Sequence, residues 1–565
     1  MIKKITIILM ALILATVSLT ACSDNTTVNT DTTSSVSSQT NNDNSSTTSQ
    51  SSNFSDSDYK DVTSETENAV ITLLGSEGTI SDTTRGSSGS EVTITSKGIY
   101  KVTGSSENVT IKINDTNQSG NIYLILDNVS MTNTSNACIY VEACDKLIIQ
   151  CTGKNFLTYN NSDSNSKIDG AIYSKDDITI NGSGSLDVNS SLHGIVCKED
   201  MKITGATLNI NSDNIGIQSR DSLRIDGGTT TIQSDHDGIQ LENDDNTSYF
   251  CMENGSLTVN SGYDGISVKS ADSSTTFKGS VKITGGTVNI TAGGGSDNSK
   301  SSTSQKGIKC DGEIDIENST VTISSADDAI HGKDNFTINS GTLNLSTSDD
   351  GITATGIVTI NSGDVTVSKS YEGIEGGSVV INGGNISVTS SDDGINTSGG
   401  SDTTAKDDAL WAEDSTGNIN ISGGNIYINA SGDGLDSNGS VYVSGGTTII
   451  EGPTTDNNGA IDKGDGDGFT ASITGGTVLA LGTPDMAVNF DSGSQCSALV
   501  NISGSKDTVI SVDDGSEFTF TATKNFTCAV YSSPKMTQGN IYTLTAGSNT
   551  AKMDFSSDIY YTDIN

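Results

Sequence analysis

A two-residue step, Gly or Ala followed by Ile or Leu, recurs through the middle of this chain at Ala171, Gly194, Gly216, Gly238, Gly265, Gly307, Ala329, Gly351, Gly373, Gly394 and Gly434. Most intervals are 21 or 22 residues. The two longest steps, Gly265 to Gly307 and Gly394 to Gly434, hold extra sequence at Gly293 to Ser304 and at Thr397 to Thr416. A period of that length means one supersecondary unit repeated, each unit too small to bury its apolar face except against its neighbours.

The text inside one period has a fixed order, seen between Leu223 and Ile239. Apolar residues alternate at Leu223 and Ile225, a Gly227, Gly228, Thr229 turn follows, a second alternating run passes through Ile232, and an acidic Asp237, Gly238 turn precedes Ile239. Alternation with period two is a strand signal, and no segment sustains apolar positions at helical spacing. Composition agrees: 62 glycines, 3 prolines and 5% aromatics suit strands and turns, and 32% hydrophobic residues suit strands with one face in solvent. The expected fold is all-β, a single-stranded parallel β-helix of about 22 residues per coil, with three short strands and three turns in each. It should occupy residues 66–490. Beyond it, residues 491–565 should form a small β cap, with antiparallel strands from Ser511 to Asp554 that gather Phe518, Phe520, Phe526, Tyr531 and Tyr542 over the rod's open end.

The N-terminus reads as a leader. Lys3 and Lys4 precede an apolar stretch from Ile5 to Val17, and Leu19, Thr20, Ala21 and Cys22 resemble a bacterial lipobox. Residues 1–21 are therefore expected to be a lipoprotein signal peptide, with Cys22 lipidated and the mature chain extracellular, held on the bacterial cell membrane by acyl chains alone. Residues 22–65, dominated by Ser, Thr, Asn and Asp, read as a disordered tether. The other cysteines form no C-x-x-C pair, which disfavours zinc; they read as small inward residues before they read as bridges.

Charge narrows the function. With 70 acidic against 29 basic residues the net charge is -41, which repels nucleic acid and favours cations or hydroxyl-rich ligands. Alignment of the repeats places Asp237, Asp264, Asp328, Asp350, Glu372, Asp393 and Asp433 directly before the Gly or Ala, with Asp327, Asp349 and Asp392 doubling several of them. A second set, Gln240, His331, Glu375, Asn396 and Asp436, falls two positions after it. In stacked repeats these residues form files one strand spacing apart, and a file of carboxylates calls for countercharge. Ca²⁺ suits it, since it takes six to eight oxygens from carboxylates, backbone carbonyls and waters in irregular geometry. The alternative is that Asp-Gly only makes turns, Asp accepting local bonds and Gly supplying positive φ.

Gly98 to Gly104, Ile122 to Val129, Thr132 to Val141 and Gly153 to Leu157 resemble the opening coils of the clostridial β-helix carbohydrate-binding surface proteins, and the Asp-Gly-Ile repeats from Asp169 onward resemble that family's body. The resemblance implies a right-handed helix, bound calcium, surface attachment, and binding of plant cell-wall polysaccharide, either cellulose or acidic pectin-type chains such as polygalacturonate. It implies a lyase-like shape without established catalysis.

Two other functions compete: a structural adhesin or stalk in which calcium serves stability, and a calcium-dependent polysaccharide lyase. A lyase needs a base beside its calcium. The only arginines are Arg85, Arg220 and Arg224, and Lys269, Lys309 and Lys333 lie near acidic turns. His193 and His331 read as surface hydrogen-bonding residues. For sugar stacking the candidates are Trp411, the single tryptophan, with Tyr371 and Tyr427.

Overall fold

The computed structural model describes residues 54–565 apart from 164, 246, 271–278, 398–416, 456, 466 and 565. Cys22 and Trp411 lie outside the described residues, as do the signal peptide and most of the expected tether.

Alternating sequence becomes alternating burial. Thr320–Ser325 and Thr207–Ser212 each send every second side chain into the interior and the others outward. Almost all the described regular structure is strand: a 43-stranded sheet, a second sheet of four strands, and one helical turn at Asp56–Tyr59. The large sheet is parallel over most of its length. Through the first regular repeats each strand pairs with the strand three before it and the strand three after it. Ile178–Gly182 lies between Leu147–Thr152 and Asp200–Ile203; Ser185–Ser190 lies between Lys154–Tyr159 and Thr207–Ser212; His193–Cys197 lies between Gly170–Ser174 and Ile217–Ser219. Three files of parallel strands result.

The register explains the repeat. Ile195 pairs with Ile217, then Ile239, Ile266, Ile308, Ile330, Ile352, Ile374, Ile395 and Leu435 in one ladder. Every one of these side chains is fully buried. At about 1.5–3 kcal/mol for each buried aliphatic side chain, such ladders let a chain of modest hydrophobic content hold together. Both long steps leave the ladder intact, because Ile266 still faces Ile308 and Ile395 still faces Leu435.

The glycine before most of these residues has a different reason from the one its turn suggests. Gly238, Gly265, Gly351, Gly373 and Gly394 are not in the positive-φ region. A Cβ on Gly373 would lie 2.3 Å from the Gly394 carbonyl and 2.2 Å from Val388, so here Gly is required by the close approach of the next repeat. Positive φ appears instead in the Gly-Gly-Thr turns, at Gly228, Gly446 and Gly476.

Residues 54–65 are not tether. Asp58 is fully buried, its carboxylate 2.6 Å from the Thr179 hydroxyl, 3.0 Å from Lys146 Nζ and 3.5 Å from Lys202 Nζ. Val62 packs with Ile99 and Ile125, and its N–H donates to Gln150 Oε1 at 3.0 Å. Polar composition suggested a free chain because the partners come from far along the sequence.

At the other end Phe526–Ser532 runs antiparallel against both Ala471–Gly482 and Ser497–Gly504, covering the last parallel edge. Val509–Val512, Thr519–Thr521, Ile541–Ala546 and Asn549–Asp554 form the antiparallel four-stranded sheet. The eight cysteines among the described residues are all free, and all but Cys251 are buried.

Candidate functional site: a file of carboxylates

The acidic positions stack as their repeat alignment requires. Each acid's backbone carbonyl accepts from the Gly or Ala N–H one repeat earlier: the N–H groups of Gly238, Gly351, Gly373 and Gly394 donate to the carbonyls of Asp264, Glu372, Asp393 and Asp433 respectively. Side chains reinforce the file in the opposite direction, each accepting from the backbone of the following repeat. Asp237 Oδ1 accepts from the Asp264 N–H at 3.2 Å, Asp328 Oδ1 from Asp350 at 3.4 Å, Asp350 Oδ1 from Glu372 at 3.1 Å and Asp393 Oδ1 from Asp433 at 2.6 Å. The second file is continuous by strand register: Gln240, Ser267, Lys309, His331, Thr353, Glu375, Asn396 and Asp436.

Upstream, lysines answer the charge. Lys269 Nζ is 3.3 Å from Asp237, and Lys309 Nζ is 3.9 Å from Asp264. Lys306 stands in the acid's own place, directly before Gly307, and its backbone N–H donates to Asp264 Oδ1 at 2.9 Å. Its buried ammonium lies 3.0 Å from Asp327 and 2.6 Å from Asp328. Lys300, from the Gly293 to Ser304 insertion, reaches Asp327 at 3.3 Å and Asp349 at 2.5 Å. His331 Nδ1 is 2.8 Å from Asp328 Oδ2. Burial pushes the Asp328 carboxyl up, but Lys306 and His331 outweigh it and hold the group well below the usual carboxylate range. The ligand atoms of Asp327, Asp328 and Asp349 converge within 4.8 Å, around ammonium groups.

Downstream the arrangement changes. Among the described residues no lysine or arginine forms an ion pair with Asp350, Glu372, Asp392, Asp393, Asp433 or Asp436. Burial and neighbouring like charge then act together. Burial, with Asp328 and Glu372 nearby, lifts Asp350 well above the usual range. Burial and Glu375 push Glu372 up to about 8; burial, Asp436 and Asp433 push Asp393 up to about 10. Asp433 rises to about 7, through burial and Asp436, although the Gly459 N–H opposes the shift. Asp436 rises to about 6 through burial and Asp462.

The ligand atoms of Asp393, Asp433 and Asp436 also lie within 4.8 Å of one another. Beside them Asn396, 5% exposed, donates its amide to Glu372 Oε2 at 2.9 Å, while its Oδ1 is buried without a hydrogen-bond partner. A carbonyl-type oxygen left dry next to crowded carboxylates fits a hard cation, which would satisfy the amide and remove the repulsion together.

Tyr371 is half-buried, and burial with its bond to Asp392 raises its phenol. Tyr427 donates to Glu451 Oε2 at 2.7 Å and tilts against Phe520 at 6.3 Å, so its ring faces the C-terminal segment rather than an open platform. Lys333 is 2.8 Å from Asp311; with Lys269 and Lys309 it completes three candidate bases that are all ion-paired. His193 accepts from the Ile215 N–H at 3.3 Å, and burial lowers its pKa.

The sequence reading passed over three residues. Lys300 and Lys306 are the countercharge of the upstream file; Lys306 was visible as a lysine in an acid's place. Asp462 extends the second file, because Leu435 bridges to Ile461. Ala460, Ile461 and Asp462 repeat the same grammar after Gly434.

A long parallel sheet carrying stacked oxygen donors on its turns is a repeat scaffold that presents the same groups again and again along one face. The family model described as carbohydrate-binding domain-containing protein matches residues 88–351 and 348–515, and the chain belongs to that family. A carbohydrate-binding domain-containing protein from Acetivibrio thermocellus is 35% identical over 127 residues, 21% of this chain and 44% of the relative, so the match spans less than half of that relative's length. The solved structure of a polysaccharide lyase-like protein from C. thermocellum, a gadolinium derivative, is 26% identical, with 52% of this chain and 96% of that chain covered at a TM-score of 0.36.

Proposed function

We propose that this protein binds plant cell-wall polysaccharide in a calcium-dependent manner at the bacterial cell surface. Its body is a right-handed parallel β-helix of about 22 residues per coil, tethered through a lipidated Cys22. Membership of a carbohydrate-binding domain family supports the polysaccharide. The observation that carries the calcium reading is the cluster of Asp393, Asp433 and Asp436 beside the unpartnered Asn396 Oδ1, with no lysine ion pair to those carboxylates among the described residues. Asp350, Glu372, Glu375 and Asp392 extend the same oxygen-rich track. Bridging calcium between these carboxylates and the carboxylates of a polyuronate reconciles an acidic protein with an acidic ligand.

Retention on polygalacturonate and on insoluble cellulose, with calcium and with chelator, tests the reading. Polygalacturonate should be held with calcium and released by chelator. Retention of neither glycan under any condition would leave the structural stalk as the better account.

A further inference from the structure

One exposed aromatic of the rod is not accounted for by the acidic file. Phe156 is 40% exposed on the outer face of Lys154–Tyr159, although Leu157 and Tyr159 on the same strand are fully buried inside. It pairs in register with Asp187, and Asp187 with Asn209 and then Thr231, forming one outward column. These residues, with Asn189 and Asn211 from the adjacent column, line a shallow cleft of about 250 Å³.

The chemistry of this cleft is that of a sugar subsite. An exposed ring at one end offers a face to the apolar side of a pyranose. Beyond it stand a carboxylate and amides, which accept from and donate to hydroxyls in pairs. Asn209 Nδ2 donates to Asp187 Oδ1 at 2.6 Å, which fixes the amide and leaves Asp187 Oδ2 and Asn209 Oδ1 as acceptors. No lysine or arginine lines the cleft, and Asp187 opposes a second carboxylate, so a neutral chain fits where a uronate does not.

The column also continues. From Thr231 it runs in register through Thr258, Asn289, Thr322, Asn344, Thr366 and Ser387, a track of short hydroxyl and amide side chains on a parallel sheet. The geometry points to Phe156, Asp187 and Asn209 as the anchoring subsite for a neutral, extended glycan chain, one ring stacked on Phe156 and the chain continuing along the column. This rests on the carbohydrate-binding part of the proposed function and is independent of its calcium part, because the column lies on the strands that precede the acidic turns.

The test is binding of cellohexaose to the full-length protein by calorimetry, with polygalacturonate retention measured in parallel. Wild type should bind cellohexaose equally with calcium or chelator. Phe156→Ala should lose about tenfold or more in affinity while calcium-dependent polygalacturonate retention stays unchanged, and Phe156→Trp should bind at least as well as wild type. Asp187→Ala leaves the ring in place and should lose affinity too. Absence of cellohexaose binding in wild type, wild-type affinity in Phe156→Ala or in Asp187→Ala, or abolition of cellohexaose binding by chelator would each overturn the subsite. Failure of polygalacturonate retention alone would overturn the calcium-bridged reading and leave the subsite standing.

Discussion

The two halves of the acidic file solve the same electrostatic problem differently. From Asp237 to Asp349 the carboxylates meet Lys269, Lys309, Lys306 and Lys300, two of which come from the inserted sequence or its immediate edge. At Asp350, Glu372, Asp393, Asp433 and Asp436 the same backbone register recurs without an ion pair to a described lysine or arginine, and burial with neighbouring like charge raises each of these carboxyls. The same scaffold thus carries lysine-paired carboxylates at one end and, in the proposed reading, a cation track at the other. What separates them is a handful of lysines rather than a change of fold.

The largest effect should come from removing the upstream countercharge. Lys306→Met leaves Asp327 and Asp328 buried against each other, and breaking such a pair costs about 3–5 kcal/mol, read as a fall in denaturant midpoint. If the halves differ only in countercharge, calcium should recover part of that loss in the variant. Failure of calcium to recover any of it would mean that the upstream geometry excludes the ion on other grounds.

Calcium removal from the wild type comes next. An ion bound to the folded state alone stabilises by about 2.7 kcal/mol at a hundredfold excess over its dissociation constant. Chelator should lower the melting temperature of wild type, and it should lower that of Asp393→Asn less. A midpoint indifferent to chelator in both would remove the distinction between the halves.

The effect of pH should carry opposite signs at Asp328 and at the downstream acids, whose upward shift Asp349 and Asp237 share. Downstream, Glu372 and Asp433 have folded-state values raised above their usual ones, so the folded state holds more protons than the unfolded. Their contribution improves as pH falls from about 8 toward the ordinary carboxylate range. Upstream, Asp328 is depressed; its contribution is complete above its ordinary value of 3.8 and disappears as pH falls below it. Metal-free protein should therefore gain stability between pH 8 and 5 and lose it again in stronger acid, by thermal melting. With calcium bound the gain should shrink, since the ion replaces the protons. A metal-free profile that rises steadily with pH would contradict the downstream assignment. The smallest change should be Lys269→Met: its 3.3 Å pair with Asp237 has a partly exposed lysine and is worth under about 1 kcal/mol.

Much of this was legible in the chain itself. The Ile and Leu residues after Gly or Ala announced the inward ladder, and the acids before them announced the file, because a parallel register turns sequence period directly into vertical neighbours. Gln240, His331, Glu375, Asn396 and Asp436 were likewise readable as a second file. Gly373 was readable as necessary but not for the right cause, since a clash with the following repeat is invisible in one repeat's text. Asp58 was misplaced in a tether because burial by Lys146, Thr179 and Lys202 depends on residues about a hundred positions away. Lys300 was hidden for a similar reason: an insertion looks like a surface loop until its ammonium is found on Asp349. Phe156 carried no signal at all, because a single aromatic in an alternating strand reads as core or surface only once the register is known.

The central claim is that the downstream carboxylates form a calcium site. Calorimetric titration of calcium into the metal-free, full-length protein, compared with the Asp393→Asn, Asp436→Asn double variant, tests it most directly. Saturable binding with proton release in wild type, lost or severely weakened in the variant, is the expected result. Equal calcium binding in the two proteins, or none in wild type, would contradict it.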